Sequence, residues 1–143
     1  MSSIALTLAQ YLVTASALVI FALGAVHLLL TFTGSSLQPR DEVLMARMHE
    51  ISPKITRETS MWKAWVGFNA SHSFGALLFG SVYAYLALVH GPLLFASPYL
   101  LGVGLVLLCG YAFLGKRYWF STPYRGILLA TALYVAALIA SGV

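Results

Sequence analysis

The chain has 143 residues, of which 60% are hydrophobic and 8% charged, whereas a soluble domain carries about 25% charged residues. Its net charge of +4 is confined to residues 40–63 and 116–125, which hold every Lys, Arg, Asp and Glu, so the basic excess describes loops and excludes a nucleic-acid-binding surface. The composition is that of an integral membrane protein, and its single cysteine, Cys109, excludes an intramolecular disulfide, a dithiol redox centre and the quinone-linked thiol oxidoreductases of the four-helix kind.

Residues 4–32 form a nearly unbroken apolar run containing Gln10, Thr14, Ser16 and His27. With no basic segment ahead of it and too great a length for a cleaved signal peptide, it reads as a retained first span over about residues 8–32. Gly34-Ser35-Ser36 ends it. Residues 37–60 carry all four acids. Pro39 suits a helix start, Asp41 and Glu42 its first turn, and Val43, Leu44, Met48 and Ile51 one face, until Ser52-Pro53 stops it. This predicts a short amphipathic helix in the first loop (about 34–60), either lying on the membrane surface or capping the bundle through Met45 and Met48.

The second span, about residues 61–88, opens on Trp62, Lys63 and Trp65 as an interfacial anchor and contains Asn69, Ser71, His72 and Ser73. Small residues recur every four positions, with Gly67, Ser71 and Gly75 on one ridge and Ala76, Gly80 and Ala84 on another, so Gly67, Gly75 and Gly80 are expected at helix–helix contacts. His90-Gly91-Pro92 reads as a tight hairpin turn, followed by a third span over about 93–114 with Pro98 in its first turns. Residues 115–125 make a basic, aromatic connection of the kind found at headgroup level. Ser121 or Thr122 is expected to cap a fourth span over about 123–139, with Pro123 at its first position. The fold class is therefore all-α: a polytopic membrane protein forming an antiparallel four-transmembrane-helix bundle, one membrane domain over 1–143.

Orientation follows from the basic residues. The two connections that share a side hold all eight Lys and Arg, counting Lys63 and Arg125 at helix edges. This predicts loops 34–60 and 115–122 to be cytoplasmic and both termini periplasmic, in a multi-pass protein of a cell inner membrane.

Polar groups at membrane depth mark candidate sites, because each must meet protein, water or ligand. His27 lies ~9 Å from the cytoplasmic end of its span, and Asn69 and His72 lie ~12–16 Å into theirs, at ~1.5 Å per residue. The candidate polar cluster is His27, Asn69, His72 and Ser73, with Thr31 one turn from His27 and Tyr111 and Arg125 as further members from the other hairpin. Two histidines and an asparagine are too few donors for a zinc or iron centre, so no metal ligands are assigned. A haem b held by His27 and His72 is an alternative. His49 and His90 read as interfacial or loop histidines, and Met45 and Met48 as a packing stripe.

The stretch Trp62-x-x-Trp65-x-Gly67-Phe68-Asn69-x-Ser71-His72-x-x-Gly75, with Gly24-x-x-His27 and Arg117-Tyr118-Trp119-Phe120-x-x-Pro123, resembles the signature of a group of small uncharacterised bacterial four-span membrane proteins. The resemblance covers most of the chain. It implies the four-span architecture and marks His27, Asn69 and His72, and it supplies no mechanism.

The expected function is that of an accessory, structural or ligand-binding membrane bundle, with the lipid bilayer as its environment and a homo-oligomer or a membrane protein as partner. The alternatives are a haem- or metal-binding protein and a small oligomeric transporter. Transport is disfavoured because no carboxylate lies inside a span, and catalysis because no nucleophile stands out.

Overall fold

The computed structural model describes residues 3–142, and these are helical throughout their ordered elements, with no strand among the described residues. The helices are α1 (Ser3–Phe32), α2 (Glu42–Glu50), α3 (Met61–Val89), α4 (Gly91–Phe95), α5 (Pro98–Tyr118) and α6 (Ser121–Ser141). Four of them, α1, α3, α5 and α6, are long and apolar enough to cross a membrane, at 21 to 30 residues each against the ~20 that a bilayer requires.

Helix boundaries follow local chemistry and correct several expectations. α1 begins at Ser3, earlier than expected, because nothing in Ile4-Ala5-Leu6 opposes helix and Thr7 Oγ1 donates to the Ser3 carbonyl at 2.9 Å. It stops before Gly34, whose φ of 72° is left-handed backbone that glycine adopts without cost. Asp41 is the N-cap of α2, not a first-turn residue. Its carboxylate accepts from the Val43 and Leu44 amides at 2.8 and 3.0 Å, so Pro39 lies outside the helix. The face of α2 that is half-buried carries Met45 and Met48, while Val43 and Leu44 are exposed.

Between α3 and α5 the expected simple turn is instead the short helix α4, which buries Leu94 and Phe95. Pro98 therefore does not sit inside a span. It is the first residue of α5, behind Ser97, whose hydroxyl accepts from the Leu100 amide at 3.3 Å, so the helix starts there without a kink. At its other end α5 runs on through Lys116 and Arg117 to Tyr118, basic residues that complement a helix C-terminus. The connection to α6 shrinks to Trp119 and Phe120. Phe120 is the N-cap and makes no side-chain cap bond, and Ser121 and Thr122 lie inside the helix ahead of Pro123.

The chain divides into two compact units, Met1–Leu23 with Ala76–Val143, and Gly24–Gly75. In the first, parts of α1 and α3 pack with α5 and α6 as an antiparallel bundle. Contacts pair rising residue numbers on one helix with falling numbers on its neighbour: Gln10 Nε2 donates to Ala87 O (3.0 Å) while Ala17 faces Gly80, Ser16 Oγ donates to Ala130 O (2.7 Å) while Leu23 faces Gly126, and Tyr134 OH donates to Leu101 O (3.1 Å) while Tyr124 faces Gly115; Tyr83 OH donates to Leu100 O (2.6 Å). Its core joins Val13, Ala17, Ile20, Phe79, Leu108 and Ile127 to these tyrosines. Lipid is as apolar as these side chains, so close packing and interhelical hydrogen bonds hold such a bundle, and small residues sit where backbones approach. Gly80 is one of them: a Cβ there would lie 2.5 Å from Phe21 Cβ and 2.7 Å from the Ala17 carbonyl oxygen.

The second unit contains the end of α1, the loop with α2, and the first half of α3. Met61 N donates to Ile51 O at 2.8 Å and Trp65 Nε1 to Leu37 O at 3.1 Å, tying the loop to the start of α3. Here one expectation fails. Gly67 is exposed, with nothing within 4 Å of the position a Cβ would take. The buried face of α3 runs through Asn69 and Ser73, and at 100° per residue Gly67 and Ser71 point to its opposite side.

Candidate functional site: a histidine–asparagine cluster between two spans

The antiparallel course of α1 and α3 sets the register of the site. His27 stands five residues before the end of α1, Asn69 eight residues into α3, and their side chains meet. His27 Nε2 lies 3.1 Å from Asn69 Oδ1. Asn69 Nδ2 donates to the Trp65 carbonyl at 2.8 Å, and because a carbonyl can only accept, Oδ1 is the end turned to His27. His27 Nε2–H is therefore the donor and Asn69 Oδ1 the acceptor of this bond.

His72, one turn beyond Asn69, meets the same histidine. The two rings are edge to face, 5.6 Å between centroids and 89° between planes. Asn69 is 8% exposed and Ser73 fully buried, while His27 and His72 are half-buried. Ser73 Oγ donates to the Asn69 carbonyl at 2.9 Å and Thr31 Oγ1 to the His27 carbonyl at 2.8 Å. Both are bonds to the preceding turn, which let a hydroxyl sit at membrane depth without an external partner.

Tyr111 and Arg125 belong to the other unit. Tyr111 packs beside Trp119 with 6.4 Å between ring centroids, and Arg125 is exposed as the fifth residue of α6. Sequence reasoning read Trp65 only as an anchor, although it contributes the carbonyl that orients Asn69. The signal available was its position four residues before an asparagine inside a helix. His49, read as an interfacial or loop histidine, is exposed and lies beside Trp62 with 5.6 Å between centroids. His90 Nε2 is 3.3 Å from Tyr85 Oη.

Chemically the cluster offers hydrogen-bond donors and acceptors from imidazole, amide and hydroxyl groups, and none of its members is a carboxylate. Haem ligation by His27 and His72 would require a porphyrin between the rings with a nitrogen of each aimed at iron. Here the rings are edge to face and His27 Nε2 is turned to Asn69. No known protein family, curated protein or solved structure matches the chain.

Proposed function

We propose that this chain is a small accessory protein of a bacterial inner membrane, of the four-span group whose motif it resembles, and that His27, Asn69 and His72 fasten α1 to α3 as a structural element. The observation that carries this reading is the His27–Asn69 hydrogen bond, in which both ends of the asparagine amide are paired. Interhelical hydrogen bonds in membranes contribute ~0.6 kcal/mol on average and ~1.7 at most. An orphaned buried amide costs more, about 1–3 kcal/mol. Both termini are assigned to the periplasm and the two basic connections to the cytoplasm, because those connections hold all the positive charge.

A double-mutant cycle tests the fastener. His27→Leu and Asn69→Leu each remove one partner and are expected to lower unfolding free energy in detergent by about 1–2 kcal/mol, while the double variant loses less than the two single losses added. Strict additivity would remove the fastener.

A second reading rests on the His27–His72 contact, which places two imidazole rings edge to face with 5.6 Å between centroids between the two spans. On that reading the pair receives the polar group of a membrane-soluble ligand. The absorption spectrum and metal content of the purified protein, with His72→Leu beside it, distinguish the two. A Soret band or bound metal that disappears in His72→Leu supports the ligand site, and a colourless, metal-free protein whose melting falls in His72→Leu supports the fastener.

A further inference from the structure

One long face of α5 carries a groove of about 630 Å³, lined by Tyr99, Gly102, Val106, Gly110, Tyr111 and Leu114 among others. Gly102 and Gly110 are exposed, with nothing within 4 Å of where a Cβ would stand, so the missing side chains shape the hollow. It runs along most of a membrane-spanning helix, from Pro98 to Leu114, which is ~24 Å at 1.5 Å per residue.

The groove ends at positive charge. Arg117 lies seven residues beyond Gly110, two helical turns and ~10 Å along the same face. Arg117 is exposed and stands over the Tyr118 ring, 5.9 Å from its centroid, with Lys116 beside it in the last turn. Among the described residues the one ion pair is Arg47–Glu50, and the unit that contains α5 has no Asp or Glu of its own. An apolar trough at bilayer depth, closed at headgroup level by a guanidinium and an aromatic ring, matches an amphiphile with an anionic head.

We propose that this face of α5 binds one anionic phospholipid, with an acyl chain against Gly110 and Val106 and the phosphate on Arg117. A second copy of the chain fits the face less well. Two copies with the same topology would bring their Arg117 side chains together at the same depth, where like charges repel.

The test is native mass spectrometry of the full chain in detergent, titrated with equal amounts of dioleoyl phosphatidylglycerol and dioleoyl phosphatidylcholine. The expected result is retention of the anionic lipid over the zwitterionic one by about fivefold, the factor that one interfacial basic residue supplies. Arg117→Gln should bring the ratio to parity. Gly110→Leu, which fills the trough at a position with open space, should lower retention of both lipids. Both positions are exposed, so both variants are expected to melt like the parent. Equal retention of the two lipids by the parent chain overturns the proposal, as does an undiminished preference in Arg117→Gln. So does unchanged retention in Gly110→Leu, and if that variant also shifts the monomer–dimer ratio, the groove is an interface between copies.

Discussion

Gly80→Ala isolates what close approach contributes to this bundle. The added methyl would lie 2.5 Å from Phe21 Cβ, 2.7 Å from Ala17 O and 3.0 Å from Phe21 Cα. Two of those atoms are backbone and the third is fixed to it, so no rotamer change relieves the contact. Reaching a carbon contact distance of ~3.5 Å requires α1 and α3 to separate by about 0.8–1.0 Å, a gap that forfeits a quarter to a half of the dispersion energy of each atom pair along the seam. Overpacking of this kind costs about 1–3 kcal/mol, against a gain of about 1 kcal/mol for alanine over glycine inside a helix. The net expectation is a loss of up to about 2 kcal/mol. Gly67→Ala is the internal control, because a Cβ there meets nothing and only the helix-propensity gain applies. Unfolding both variants by SDS titration in mixed micelles gives the comparison. If Gly80→Ala is as stable as Gly67→Ala, the assignment of the α3 seam is wrong.

Tyr134→Phe removes the hydrogen bond from a fully buried hydroxyl to Leu101 O and should cost about 1 kcal/mol in the same titration. Asp41→Ala deletes the N-cap of α2 and is expected to weaken that helix by about 0.5–2 kcal/mol, seen as faster hydrogen exchange at the Val43 and Leu44 amides with unchanged exchange in α5. Reporter fusions at positions 50 and 120 should both read cytoplasmic, and a periplasmic signal at either would reverse the assigned orientation.

Element by element, what could be read in advance depended on whether its cause was local. The four long helices are legible because a membrane leaves a backbone no other partner than itself, so an apolar run long enough to span must be helical. The meeting of His27 with Asn69 was within reach of simple depth counting, since two antiparallel helices joined by one loop align equal distances from that loop. The polar residues helped because hydrocarbon penalises them wherever they are not paired.

Which face of each span is buried was another matter. Lipid-facing and protein-facing sides are equally apolar, so the periodicity that marks the core side of a soluble helix is missing. Gly67 and Gly80 look alike as members of small-residue ridges, yet one faces outward and the other lies against Ala17 and Phe21. The role of Tyr134, whose hydroxyl joins α6 to α5, and the α5 groove below Arg117 depend on helix rotation, which packing decides. The α4 turn also needed tertiary structure, because Leu94 and Phe95 are buried in a core shared with residues far away in sequence, whereas the start of α5 at Pro98 is local, fixed by the Ser97 cap. Local chemistry determined that there are four spans and where their charged connections lie; the mutual rotation of the helices, set by contacts between residues far apart in the chain, decided which glycines, tyrosines and histidines face one another.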